Sequence, residues 1–373
     1  MKTIAVNAYP LRESGAKSIL DQFVRAAGRY SPHVRYLVFT YPGIRAADTV
    51  RNVEYVDVRQ GRLAKALFRW QFSGFGRWLR THGVRPDATV SLANVNVSSP
   101  QDGTPDFLYY HQAIPLYPER WNPLRGAQRG LWLYKTLFRR IVARSLRPST
   151  QVFVQLECTR QRFSRVFGLP CGRIHVVAPE ALPASRGPQD DTIRLDPDAC
   201  NLVYPATPFV YKNHEVLLKA LRILSRRNIG TKVRLYLTAT REQLSPLGAE
   251  DIHDENVQVV YLGYVGQEAL RGVYSRADAL LFPSRIESFG LPLIEAAAMG
   301  LPVLAGDTDF AREVLRGYAG ARYFPADDPQ QWAGGIEELA RVKGVRYSPL
   351  ENREKDSWKE FFEIIHKNID RNV

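Results

Sequence analysis

Two doubly wound α/β domains facing a central cleft are what this 373-residue sequence predicts. Three observations support that class. The length fits two domains of about 150 residues or more each. Short β-rich runs alternate with helical stretches in both halves, the pattern of parallel sheets with right-handed crossovers. One segment rich in Pro, Gly and Asp, with no apolar period, separates the halves.

In the first half, strands are expected at Thr3–Ala8, Val34–Thr40, Val53–Val58, Ala88–Leu92, Phe107–Tyr110, Val152–Gln155 and Ile174–Val177. Helices fall between them near Ser18–Gly28, Arg62–His82, Arg129–Ser145 and Thr159–Val166. Residues 1–182 form this domain and 183–198 the linker. The second domain, 199–353, restarts the pattern with strands at Asn201–Pro205, Lys232–Thr238, Val257–Leu262, Ala279–Phe282 and Pro302–Ala305. Its helices fit His214–Arg226, Gln267–Ala277, Pro292–Met299, Ala311–Leu315 and Pro329–Leu339, and a final amphipathic helix runs from about Glu354 to Ile369. In open parallel sheets ligands bind beyond the carboxyl ends of the strands, so the cleft is the expected site.

Composition narrows the function. With 45% hydrophobic and 24% charged residues the chain is an ordinary globular protein, neither disordered nor a repeat array. Cys158, Cys171 and Cys200 are isolated, which argues against a disulfide framework or zinc site and suits a reducing cytoplasm. No apolar run is long enough to span a bilayer, and Thr3–Ala8 reads as a strand rather than a signal peptide. The expected location is the cytoplasm, free or peripheral on the inner face of the plasma membrane. The net charge of +13 is uneven: residues 1–198 hold 29 Lys+Arg against 15 Asp+Glu, a net +14. That half is expected to face something anionic: nucleic acid, phospholipid or a phosphate-bearing substrate. Two stretches there, Arg62–His82 and Arg129–Ser145, combine apolar spacing with arginines. In the second, Leu131, Tyr134, Leu137, Phe138, Ile141 and Val142 form the stripe, with Lys135, Arg139, Arg140 and Arg144 elsewhere on the wheel. Each stripe either packs on the sheet or docks to anionic lipid.

The most informative passage is FPSRIESFGLPLIEAAAMGLPVL, Phe282–Leu304. A buried strand ends at Pro283, a loop carries Glu287, and Phe289-Gly290-Leu291-Pro292 turns into a helix. A helix N-terminus, with its free N–H groups and positive dipole end, suits a diphosphate. Gly290 permits close backbone approach. Glu295, read in the first turn, can accept ribose hydroxyls, and Glu287 can reach past the phosphates toward a sugar. Lys212, in YPATPFVYKNHEVLLKA before a helix capped by Asn213, can neutralise a departing phosphate or merely decorate a loop. His111 ends the strand at Tyr110, and Gly15 lies in the turn after the first strand; either position also fits a purely structural residue.

Glu287 and Glu295 form an E-x7-E pair, and SFGLPLIEA with MGLPV resembles the signature of retaining GT-B glycosyltransferases of the group 1, or family 4, type. The likeness covers most of the second half and, more weakly, the first. It implies transfer of a sugar from a nucleotide-sugar donor to a saccharide or polyprenyl-diphosphate-linked acceptor, of the kind used for bacterial O-antigen, lipopolysaccharide or exopolysaccharide. It implies catalytic roles for Glu287, His111 and Lys212, and donor binding by Gly15, Arg285, Ser288, Phe289, Gly290, Leu291 and Glu295. The arginine that the family usually places about five residues before Lys212 is absent, leaving Arg285 or a first-domain arginine to replace it. It also implies that the C-terminal helix, 354–373, returns to the first domain. No cofactor and no metal are expected, the donor being a substrate; Asp307-Thr308-Asp309 spells a metal-type motif but reads as a loop. The alternatives are a sugar-nucleotide epimerase or phosphorylase on the same architecture, or a basic nucleic-acid-binding protein, for which no zinc-finger, RRM or helix-turn-helix pattern is present.

Overall fold

The computed structural model describes residues 1–12, 14–58, 68–98, 103–124, 126–180, 192–227, 229–247, 252, 254–351 and 357–371. The chain divides into two compact units: Met1–Glu180 together with Glu354–Val373, and Ala181–Arg353. Most of the expected linker, and the start of the Arg62–His82 stretch, lie outside the described residues.

The first unit holds a seven-stranded, all-parallel sheet of β1 (Thr3–Asn7), β2 (Arg35–Thr40), β3 (Val53–Asp57), β4 (Ala88–Ser91), β5 (Asp106–Tyr110), β6 (Gln151–Val154) and β7 (Ile174–Val176), in the order β3-β2-β1-β4-β5-β6-β7. Side chains alternate across such a sheet, and both faces are covered. Ile4, Val6, Tyr36 and Val38 pack on one face with Phe23 of the Ser14–Tyr30 helix. Ala5, Leu37 and Phe39 pack on the other with Trp70, Phe75 and Leu79. The last helix, Ser357–Asp370, belongs to the first of these layers. Its Trp358, Phe361, Phe362, Ile365 and Ile369 recur at helical spacing and are all buried. Trp358 stacks on Tyr109 with ring centroids 5.3 Å apart and donates Nε1–H to Gln22 Oε1 at 3.1 Å.

The second unit holds a six-stranded parallel sheet of β8 (Cys200–Tyr204), β9 (Val233–Leu237), β10 (Val257–Tyr261), β11 (Ala279–Phe282), β12 (Val303–Gly306) and β13 (Ala321–Phe324), in the order β10-β9-β8-β11-β12-β13. In both sheets the strand order therefore reverses once, between β1 and β4 and between β8 and β11, while every strand stays parallel. The edge strand β13 is absent from the sequence reading because its ARYF has neither an apolar run nor a clean alternation.

Three local expectations need correction. The first helix begins at Ser14, four residues early, so Gly15 lies inside it and not in the preceding turn. Gly15 is exposed, and nothing stands within 4 Å of where its Cβ would be. Asp307-Thr308-Asp309 is a helix start and not a loop: Thr308 Oγ1 accepts from the Ala311 N–H at 3.4 Å, and Asp307 pairs with Arg312 at 2.5 and 2.9 Å. In the Gly126–Ser145 helix, Lys135 and Arg139 do not join the outward arginines. Lys135 donates to the carbonyls of Tyr117 and Glu119, and Arg139 donates to that of Pro115.

Candidate active site

The site of the second unit grows from its switch point. Where strand order reverses, the loops leaving the two central strands diverge and open a crevice for a ligand. Here those loops follow β8 and β11, and they carry Lys212 and Glu287.

Several bonds fix the first loop against the second. The chain after β8 makes a 3-10 turn, Val210–Lys212, and then Asn213 takes the left-handed conformation at φ +59°. Asn213 does more than precede the helix that it was expected to cap. Its Nδ2 donates to the carbonyls of Pro283 at 3.3 Å and Ala326 at 2.6 Å. The Arg285 N–H donates to the Tyr211 carbonyl at 2.9 Å, and the buried Tyr204 hydroxyl donates to that of Lys212 at 2.6 Å. The result is an ion pair across 75 residues of chain: Lys212 Nζ stands 2.5 Å from Glu287 Oε1, with side chains 18% and 11% exposed.

The surroundings keep that pair the dominant charge. His214 is buried against the Tyr204 ring, 4.7 Å between centroids, and burial pushes its imidazole down to about 4. It is therefore neutral at physiological pH and adds no second cation beside Lys212. Burial, reinforced by the Glu287 charge, pushes the Tyr211 hydroxyl up to about 12.

After Glu287 the loop passes the half-buried Ser288 and buried Phe289 to Gly290. Gly290 has φ +93°, and a Cβ there would sit 3.0 Å from Leu293 Cδ1, so the turn requires glycine. The helix that follows is Leu291–Ala298. It starts one residue earlier than expected, which places Pro292 second and Glu295 fifth, beyond the first turn. The helix end is also poorer in donors than expected. Pro292 has no N–H, and the Leu293 N–H donates to the Gly290 carbonyl at 2.9 Å. Glu295 is half-buried beside Tyr274 and Arg271 of the Gln267–Arg276 helix. Burial raises its carboxyl to about 7, against the opposing pull of the Arg271 charge and the Tyr274 hydroxyl. Arg285 is exposed, with one guanidinium nitrogen 3.4 Å from the Ala326 carbonyl.

In the first unit, His111 follows β5. Its main-chain N–H donates to Asn94 Oδ1 at 2.6 Å, and Asn94 itself is left-handed at φ +62°. Its Nε2 stands between the Leu92 carbonyl at 3.0 Å, an acceptor, and the Asn94 amide nitrogen at 3.2 Å, a donor, so either ring tautomer keeps one of these contacts. Burial lowers its pKa and favours the neutral ring. Among the described residues, no group of three or more His, Cys, Asp or Glu is arranged to hold a metal ion.

Sequence reasoning missed Tyr204, Tyr211, Asn213's stitching role, His214, Tyr274 and Asn94. Only Asn213 and Asn94 left a trace, because asparagine is the non-glycine residue that best tolerates left-handed turns.

With this geometry in place, comparison with known proteins is decisive for the second unit. Residues 201–341 match the family described as Glycosyl transferases group 1. The second unit carries a group 1 glycosyltransferase domain. The serotype-specific mannosyltransferase WbdA of Escherichia coli is 36% identical over 115 residues, which cover 31% of this chain and 14% of WbdA. The O-antigen chain mannosyltransferase RfbU of Salmonella typhimurium is 38% identical over 85 residues, 23% of this chain and 24% of RfbU. The chain thus matches a quarter or less of the length of either relative. Among solved structures, a sucrose-phosphate synthase from Thermosynechococcus elongatus superposes with a TM-score of 0.64 at 15% identity, over 100% of this chain and 97% of that one. Anabaena HepE, in complex with UDP and glucose, superposes with a TM-score of 0.61 at 12% identity, over 98% and 100%. These likenesses establish the fold, two Rossmann-like units of the GT-B plan. Among the described residues, no helix is long and apolar enough to cross a membrane.

Proposed function

We propose that the chain is a glycosyltransferase. It moves a sugar from a nucleotide-sugar donor to a saccharide or polyprenyl-diphosphate-linked acceptor, with retention at the anomeric carbon, in the assembly of a bacterial surface polysaccharide. The observation that carries this reading is the Lys212–Glu287 pair beside the left-handed Gly290 turn, at the switch point of a group 1 glycosyltransferase domain. The relatives support the class of chemistry: WbdA and RfbU are mannosyltransferases, and the HepE structure holds UDP and glucose.

In the proposed step, the bond from the sugar's anomeric carbon to the diphosphate oxygen breaks, and its electron pair leaves with the diphosphate. The acceptor hydroxyl oxygen bonds to the same face of that carbon, and its proton passes to the diphosphate. Negative charge grows on the leaving group, and Lys212 is the cation placed to oppose it. Glu287 orients the Lys212 ammonium and faces the sugar. Ser288, Phe289, Gly290 and Leu291 form the turn against the diphosphate, Arg285 supplies a second positive charge, and Glu295 takes the ribose hydroxyls. On the first unit, the catalytic role falls to His111, after β5, and a donor-binding role to Gly15, at the start of the helix after β1. Lys212 provides the positive charge that a divalent ion provides in metal-dependent transferases, so the step is written without a metal, and the donor is a substrate rather than a cofactor. A lipid-linked acceptor would place the enzyme peripherally at the cytoplasmic face of an anionic membrane.

The test is to offer the chain UDP-, GDP- and dTDP-sugars with saccharide and lipid-linked acceptors, then read nucleoside diphosphate release and the product anomer by NMR. Consumption of a donor that depends on acceptor, with retained configuration, is expected. An inverted product, or a sugar isomerised on its nucleotide without any acceptor, refutes the proposal.

A further inference from the structure

We infer that the outward face of the Gly126–Ser145 helix is a docking surface for an anionic lipid bilayer, with Trp132, Leu133, Leu137 and the preceding Leu124 entering the interface and Arg129, Arg140 and Arg144 meeting the head groups. The inference rests on the lipid-linked-acceptor reading for its biological sense and deepens it by naming the surface.

The helix is about 30 Å long at about 1.5 Å per residue. It is divided along its length. At about 100° per residue, Trp132, Arg129, Arg140, Leu133, Arg144 and Leu137 fall within an arc of about 140°. All six are exposed. The apolar members are open to an unusual degree: Trp132 is 41% exposed, Leu133 55%, Leu137 52% and Leu124 92%. The opposite arc, with Leu131, Tyr134, Phe138, Ile141 and Val142, is half-buried or buried. Lys135 and Arg139 fasten the helix to the segment before it through the carbonyls of Tyr117, Glu119 and Pro115. The helix is thus held from one side and presents a second amphipathic face to solvent.

Charge selects the occupant. The 20 residues contain no Asp or Glu, and residues 1–198 carry a net +14. Arginine interleaved with tryptophan and leucine matches the boundary between phosphate head groups and acyl chains. Nucleic acid or a soluble phosphorylated acceptor would use the arginines but gives the exposed leucines nothing to contact.

The experiment uses the full chain and vesicles of phosphatidylcholine alone or mixed with phosphatidylglycerol. The wild type is expected to sediment with the mixed vesicles at low salt, and to be released by high salt. A triple Arg129→Gln, Arg140→Gln, Arg144→Gln variant should lose about fivefold in partitioning per arginine, about 100-fold in all, since each contributes about 1 kcal/mol near an anionic surface. A Trp132→Ala, Leu133→Ser, Leu137→Ser variant should keep weak, salt-sensitive attraction and lose tight binding. Circular dichroism and nucleotide affinity should stay as in wild type for both, because every substituted side chain faces solvent. Equal vesicle binding by wild type and variants overturns the proposal. So does a wild-type dimer that the apolar variant splits, or binding to single-stranded RNA without binding to vesicles. Failure to bind any nucleoside diphosphate would instead strike the glycosyltransferase reading and leave the docking face standing.

Discussion

Removing either partner of the Lys212–Glu287 pair should have opposite effects on nucleotide binding and the same effect on turnover. The two groups are 2.5 Å apart and largely enclosed, so neither is freely replaced by water. On the proposed step, Lys212→Ala takes the cation from the leaving diphosphate, a loss of about 2–4 kcal/mol of transition-state stabilisation, or about 30- to 1000-fold in rate. The Glu287 carboxylate also loses its cation and repels the diphosphate, so affinity for the nucleoside diphosphate falls as well. In Glu287→Ala the ammonium is freed for the diphosphate. Turnover falls because the ammonium is no longer aimed, while nucleoside diphosphate binding holds or tightens. The double variant should then bind the diphosphate better than Lys212→Ala alone, with a coupling of about 0.5–3 kcal/mol. Calorimetric titration of the four proteins with nucleoside diphosphate, alongside kcat for donor consumption, reads both quantities. Glu287→Ala binding as weakly as Lys212→Ala, or strictly additive effects, would refute the reasoning.

Five further outcomes follow from particular residues. Burial raises the Glu295 carboxyl to about 7 from its ordinary 4.5, so the folded protein holds that proton more tightly than the unfolded chain. The stability that this group contributes is therefore greatest below pH 4.5 and falls toward pH 7, by at most about 3 kcal/mol, and denaturation of Glu295→Gln across that range should lack this component of the slope. If Glu295 takes the ribose hydroxyls as proposed, its ionised form is the better acceptor, so nucleotide affinity should rise through pH 7 in wild type and stay flat in the same variant. Gly290→Ala forces a side chain into φ +93° against Leu293 and should cost about 1–3 kcal/mol, read by denaturant titration together with donor affinity. Trp358→Ala empties a fully buried position stacked on Tyr109 and should destabilise the first unit by about 3–5 kcal/mol in the same titration. If Lys212 opposes the leaving charge as proposed, turnover should persist in EDTA, and strict dependence on Mg²⁺ or Mn²⁺ would return attention to Asp307 and Asp309.

The alternation of strands and helices was legible because buried parallel strands such as Ala279–Phe282 are written as continuous apolar runs, and amphipathic helices such as Ser357–Asp370 carry their period openly. The loop with Glu287 and Gly290 was legible because its strand, turn and helix are contiguous. The pairing of Lys212 with Glu287 was not, since only the β8–β11 neighbourhood brings residues 75 positions apart together. Lys135 and Arg139 illustrate a different limit on reading from periodicity. On a wheel they are polar positions, yet their long side chains reach the carbonyls of a neighbouring segment and face inward. Conversely, Trp132 and Leu133 lie outside the apolar stripe, so only the fold reveals them as exposed. His111 was placed correctly at a strand end, but its ring partners, the Leu92 carbonyl and the Asn94 amide, come from the loop of another strand.

The central claim is that the switch point of the second sheet holds the diphosphate of a nucleotide donor, and a structure of the full chain with bound nucleoside diphosphate tests it most directly. The account predicts phosphate oxygens within hydrogen-bonding distance of Lys212 Nζ, with the Gly290–Leu291 turn against the diphosphate and Glu295 at the ribose. A nucleotide seated elsewhere, with Lys212 and Glu287 still paired and untouched, would contradict it.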